Sequence, residues 1–138
     1  NISGEEICME LMEPFTADPH ALSPLPLAFL GDAVYELCAR QAVAAMGTAH
    51  VGEMHDRAVA LVNASAQSAA FAVMEPVLTE EELAVYKRGR NANASVPKNA
   101  SVVDYRRATG VEALFGYLYL KGETARIYEL FKLAHPEF

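Results

Sequence analysis

Three observations predict an all-α fold. Apolar residues recur at steps of three and four along nearly the whole chain, no run shows the period-two alternation of a strand, and Thr/Ser-x-x-acid caps precede two of the apolar stretches. The 138 residues fit one domain of ordinary size. A composition of 52% hydrophobic and 21% charged residues belongs to a chain that buries a core. With no internal repeat or linker, residues 1–138 read as a single helical bundle.

In chain order, the first predicted helix covers 2–11 and is closed by Pro14. Ser23, Pro24, Leu25 and Pro26 then lead rigidly into a helix over about 26–46, with Leu27, Leu30, Val34, Leu37 and Cys38 as its core-facing stripe and Gly47 as its stop. A third helix is expected over 51–74, carrying Val51, Met54, Ala58, Leu61 and Val62 on one side and small Ala and Ser residues elsewhere. Thr79 with Glu82 forms a capping-box pattern that opens a helix over 80–90, whose cationic end suits the helix dipole. Residues 91–99 are polar, small or proline and predict an exposed loop. Ser101 with Asp104 opens a long helix bearing Val111, Leu114, Phe115, Leu118 and Tyr119, and a last helix covers 123–134.

Charge is distributed unevenly. The formal net charge is -7, yet 86–107 holds Lys87, Arg88, Arg90, Lys98, Arg106 and Arg107 against the single acid Asp104. That asymmetry points to a polyanionic partner, nucleic acid first among them. Pairing with surplus surface acids is the plain alternative. No uninterrupted apolar stretch approaches the roughly 18 to 20 residues of a spanning helix, so no membrane role is expected. Residues 1–6 lack the pattern of a secretory signal, and Cys8 and Cys38 suit neither a disulfide framework nor a zinc site. Reduced thiols in a cytoplasmic protein are the expectation.

No phosphate-binding glycine loop exists, neither cysteine has a recognisable histidine partner, and His55 beside Asp56 points about 100° away from it on a helix. The remaining chemistry lies with two carboxylates. Asp32 sits within Leu30-Gly31-Asp32-Ala33-Val34 and Glu112 within Gly110-Val111-Glu112-Ala113-Leu114-Phe115-Gly116. Both are expected to be buried, and a buried carboxylate needs a basic partner, hydrogen bonds or a metal ion. Each alone reads first as structural; the pair matters only if the two helices cross, which periodicity does not establish. Tyr35 reads equally as a core or a supporting residue, and Glu36 equally as a salt-bridge partner.

The stretch from Leu27 to Glu36, LAFLGDAVYE, resembles the first catalytic helix of the ribonuclease III domain, and GVEALFGYLYL from Gly110 to Leu120 resembles the second. Arg88-Gly89-Arg90-Asn91, Val96-Pro97-Lys98-Asn99-Ala100 and Asp104-Tyr105-Arg106-Arg107-Ala108-Thr109-Gly110 are more specifically similar to the Mini-ribonuclease III family of bacteria. The resemblance spans 22–120. It implies a homodimer that cuts double-stranded RNA with Mg²⁺, with Mn²⁺ able to substitute, and matures the ends of the large-subunit (23S) ribosomal RNA precursor without a separate double-stranded RNA-binding domain. A ribosomal-protein helper is a further candidate partner. Carried over residue by residue, Asp32 and Glu112 become catalytic metal ligands, and cleavage leaves 5′-phosphate and 3′-hydroxyl ends. Leu25, Ala28 and Thr109 stand where larger ribonucleases III have further carboxylates, which leaves a complete second metal site in doubt. The expected RNA-binding residues are Lys87, Arg88, Arg90, Lys98, Arg106 and Arg107. Dimer burial is expected on Leu30, Val34, Leu37 and the helix of Phe115. The other readings are an inactive RNA-binding or ribosome-assembly relative and a helical protein-interaction module.

Overall fold

The computed structural model describes residues 17–47, 50–92 and 95–138, and the expected helix over 2–11 lies outside them. Among the described residues there are six α-helices and no strand: α1 (Pro24–Ala45), α2 (Val51–Val62), α3 (Ala64–Met74), α4 (Glu80–Arg90), α5 (Val102–Leu120) and α6 (Thr124–Ala134). A single turn of 3₁₀ helix, Glu75–Val77, links α3 to α4.

The expected long helix over 51–74 is instead two. Asn63 takes an extended conformation between α2 and α3, and its side chain accepts a hydrogen bond from Ala66 N at 2.8 Å. Asparagine competes for backbone hydrogen bonds and favours the start of a helix over its interior. At α4 the expected capping box is complete: Thr79 Oγ1 accepts from Glu82 N, and Glu82 Oε1 accepts from Thr79 N. Arg126 of α6 also donates to both oxygens of Glu82 at 2.8 Å and to the Val77 carbonyl, tying α6 to the start of α4. Ser101 accepts from Asp104 N and so opens α5.

Helix α5 is the axis of the bundle, packed by α1, α3, α4 and α6. From Ala108 to Leu118 every residue except Glu112 is buried, so this segment is enclosed on all sides, as a central helix must be. Its glycines set how closely the neighbours approach. A Cβ at Gly31 of α1 would overlap the carbonyl oxygen of Glu112, and one at Gly116 would overlap the carbonyl oxygen of Leu27. Across the helix, a Cβ at Gly110 would lie 2.6 Å from the Tyr86 ring, and one at Gly89 2.7 Å from Ala113 Cβ. Tyr86 in turn stacks on Phe71 of α3, with ring centroids 3.7 Å apart.

The open-ended reading of Tyr35 and Glu36 resolves to the structural one. Tyr35 is fully buried against Phe115 and Phe131, with its hydroxyl 2.9 Å from His135 Nε2. Glu36 pairs with Arg40 one turn on. Cys38 is a free, buried thiol, and burial pushes its pKa up to about 11. No single described helix is long and apolar enough to cross a membrane; the bent pair over 51–77 passes that test by length and composition only.

Substitution at the crossing should be costly. Gly116→Ala is expected to lower stability by at least the roughly 1–3 kcal/mol of an overpacked core. Gly52→Ala, whose added methyl meets nothing within 4 Å on α2, is expected to raise it by up to about 1 kcal/mol. Denaturant unfolding of the two variants checks both signs.

Candidate active site and nucleic-acid interface

Helices α1 and α5 do cross, and they cross beside the two carboxylates. Gly31 precedes Asp32 and meets the backbone of Glu112, so the contact that brings the helices together also brings the two acids face to face. The Asp32 carboxyl is close enough to that of Glu112 to act on its ionisation. Burial first, then the hydrogen bond and the negative charge of Asp32, push the pKa of Glu112 up to about 8. Near neutral pH the Glu112 carboxyl is therefore held largely in its protonated form.

The expectation that both acids are buried is corrected. Asp32 is exposed and Glu112 is only half-buried. On α1 the buried residues Leu27, Ala28, Gly31, Val34, Tyr35, Cys38, Ala39 and Val43 follow the helical period, and Asp32, about 100° from Gly31, lies at the margin of that face and is exposed. An apolar sequence neighbourhood says how much of a helix is buried, not which residue faces outward.

Sequence reasoning missed a third side chain here. Gln67 of α3 is 2% exposed, and it borders the Glu112 carboxyl, where its amide favours the charged form. By strict hydrogen-bond geometry its Nε2 has no partner. The available signal was a lone amide in the small, apolar run Ala64-Ser65-Ala66-Gln67-Ser68-Ala69-Ala70-Phe71. Thr109, where larger ribonucleases III carry a carboxylate, spends its hydroxyl on the Tyr105 carbonyl at 3.0 Å.

No cluster of three or more Asp, Glu, His or Cys occurs among the described residues. A metal here would rest on two carboxylates, a donor set that suits Mg²⁺, which binds hard oxygens and keeps much of its water. Two acids whose proximity disfavours joint ionisation also gain from a cation between them.

The six cations expected to meet a polyanion lie along the end of α4, the following loop and the start of α5. Lys87, Arg88, Lys98, Arg106 and Arg107 are exposed, while Arg90 is half-buried, 5.8 Å from the Tyr86 ring centroid and bonded through Nε to Asn91. Among the described residues none of the six joins an ion pair, whereas Arg40, Arg57, Lys121 and Arg126 all do. Among the described residues, then, surface acids do not neutralise these cations by ion pairing.

The apolar surplus on α1 also differs from expectation. Val34 and Phe115 are interior, and Leu30 is half-buried. The exposed apolar stripe is instead Leu25, Phe29, Ala33 and Leu37, one turn apart on α1, with Phe29 86% and Leu37 56% exposed. Inward packing against α5 uses up Val34, leaving the next face bare beside Asp32.

Residues 25–123, the stretch that holds the crossing of α1 and α5, match the family described as Ribonuclease III domain. The chain is 48% identical over 123 residues to the Mini-ribonuclease 3 of Brevibacillus brevis, covering 88% of this chain and 92% of that protein. It is 44% identical over 119 residues to that of Symbiobacterium thermophilum, covering 86% and 92%. Among solved structures, a crystal structure of protein FN1578 from Fusobacterium nucleatum superposes with a TM-score of 0.79 at 30% identity, covering 88% of this chain and 98% of that one. The chain belongs to the Mini-ribonuclease 3 family of ribonuclease III-type endoribonucleases.

The raised pKa of Glu112 makes a signed prediction. A carboxyl held protonated in the fold and free in the unfolded chain contributes stability that is complete below its ordinary value of 4.5 and lost as pH rises towards about 8. Without divalent metal, Glu112→Gln is expected to melt several degrees above the unsubstituted protein at pH 8, with the gap closing by pH 5. Calorimetry at the two pH values in a chelator measures this.

Proposed function

We propose that the protein is a Mg²⁺-dependent homodimeric endonuclease of double-stranded RNA, with Asp32 and Glu112 as its metal ligands and the 86–107 cations as its RNA grip. The observation that carries this reading is the juxtaposition of two facing carboxylates with a band of unpaired cations, in a chain whose net charge is otherwise strongly negative.

The chain's own residues divide the work. Lys87, Arg88 and Lys98 meet backbone phosphates, because the deep major groove of an A-form duplex offers side chains little else to read. Arg106 and Arg107, on the first turns of the helix that carries Glu112, bind phosphate close to the cut. Asp32 and Glu112 hold the cation, and the glycine crossing fixes their separation before RNA arrives. Mg²⁺ held by Asp32 and Glu112 would supply Lewis acidity to the phosphodiester and an activated water, a chemistry that gives 5′-phosphate and 3′-hydroxyl ends.

The exposed stripe of Phe29, Ala33 and Leu37 supports a two-fold dimer, since large apolar side chains so bare on one helix favour burial against a second copy. Such a dimer sets one centre on each strand of a duplex. The large-subunit (23S) ribosomal RNA precursor, handled in the cytoplasm with a ribosomal-protein helper, is the substrate that the family resemblance supports.

Incubation of a structured ribosomal RNA precursor with the protein, with and without Mg²⁺, followed by mapping of the ends, tests the whole reading. Binding without cleavage at every Mg²⁺ concentration would establish the inactive relative instead. Asp32→Asn and Glu112→Gln are each expected to lower cleavage by a factor of 100 or more, on the order of 3 kcal/mol in the barrier, while gel shifts on duplex RNA stay near normal. Replacing Lys87, Arg88 and Lys98 by Ala together should weaken RNA binding at low salt and flatten its salt dependence by about 0.9 log units per lost phosphate contact, if A-form RNA behaves as duplex DNA does. Phe29→Glu with Leu37→Glu should give monomers in sedimentation; an unchanged dimer would remove this face as the interface.

A further inference from the structure

The Gln67 side chain has no role in the chemistry derived above, yet it is among the most completely buried polar groups of the described structure. Its Nε2 and the Tyr86 hydroxyl are the two buried side-chain polar atoms there without a hydrogen-bond partner. Native proteins rarely leave such a donor unmet, because burial strips its water and returns nothing. Gln67 stands on α3, which packs along α5, and its amide borders the Glu112 carboxyl.

The other candidates for steadying Glu112 fall away. Thr109, one turn earlier on α5, has its hydroxyl committed to the Tyr105 carbonyl, and Asp32 faces Glu112 with a second acid. Six cations lie on neighbouring segments, but none of them is ion-paired with Glu112. Of the side chains that act on the Glu112 carboxyl, Gln67 is the one that favours its charged form, and it is a neutral amide fixed by its burial. A neutral donor is well matched to a metal ligand, since it steadies a carboxylate without competing with the cation for its charge.

We propose that Gln67 is a positioning residue, whose side-chain amide holds the Glu112 carboxylate towards Asp32 and thereby sets how tightly the two-carboxylate site retains a divalent cation. This role rests on the metal-site reading above. Gln67 itself touches neither cation nor RNA: it acts through Glu112.

The test uses the full chain with Gln67→Leu and, as a second filling of the same volume without a donor, Gln67→Met. Mn²⁺ binding is titrated in the absence of RNA, Mg²⁺ is titrated in the cleavage assay, and melting is followed in a chelator. Mn²⁺ affinity is expected to fall roughly 10- to 100-fold, the usual effect of losing a group that orients a metal ligand. The Mg²⁺ concentration for half-maximal cleavage should rise in step, with turnover largely restored at high Mg²⁺. Metal-free melting should hold or rise, and duplex RNA should bind as before in Ca²⁺. Unchanged Mn²⁺ affinity in both variants overturns the proposal. So does a fall in melting temperature that accompanies the loss of cleavage in both, which would make Gln67 a packing residue. Mn²⁺ binding that is absent from the unsubstituted protein, or unaltered by Asp32→Asn, would instead remove the metal site itself and this role with it.

Discussion

Two glycines let the backbones of α1 and α5 touch, and most of the molecule is arranged around that contact. Gly31 lies against the carbonyl of Glu112 and Gly116 against the carbonyl of Leu27, so the crossing is reciprocal and any Cβ at either position would force the helices apart. Close approach sets the depth to which α5 sinks, and α4 seats on its far side through Gly89 and Gly110 by the same means. The residues next to these glycines include both acids of the candidate site. Packing therefore positions the chemistry: a shift of the crossing would move Asp32 relative to Glu112 before it exposed any core.

Electrostatics divides the protein along α5. Its first turns carry Arg106 and Arg107 without ion-pair partners, and a turn further on Glu112 faces Asp32. Burial and the neighbouring Asp32 disfavour the charged form of Glu112, while the cations of 86–107 join no ion pair among the described residues. Elsewhere, salt bridges such as Glu36–Arg40 and Glu82–Arg126 use up charge in structure.

Much of the helix pattern could be read before any coordinates. The Thr79–Glu82 box, the Ser101 cap and the apolar period of α5 each act through neighbours within a turn, so local sequence carries them. Where expectation failed, a distant residue decided. Val34 and the helix of Phe115 were assigned to an interface because their surfaces looked too apolar for one domain, and in fact both residues are buried inside it. The break at Asn63 was legible in principle, since asparagine caps helices, but the continuous apolar period across it spoke for one element.

The sequence by itself determined an all-helical chain, the two acids worth watching and the segment that gathers the positive charge, because residue type, periodicity and capping are properties of short stretches. Only the tertiary structure decided that the acids meet, that Asp32 is exposed, that Phe29 and Leu37 form the bare face of α1, and that Gln67 lies beside Glu112. Gln67 and Glu112 are brought together by the packing of α3 on α5, and no local propensity encodes which residue of one helix will face which residue of another.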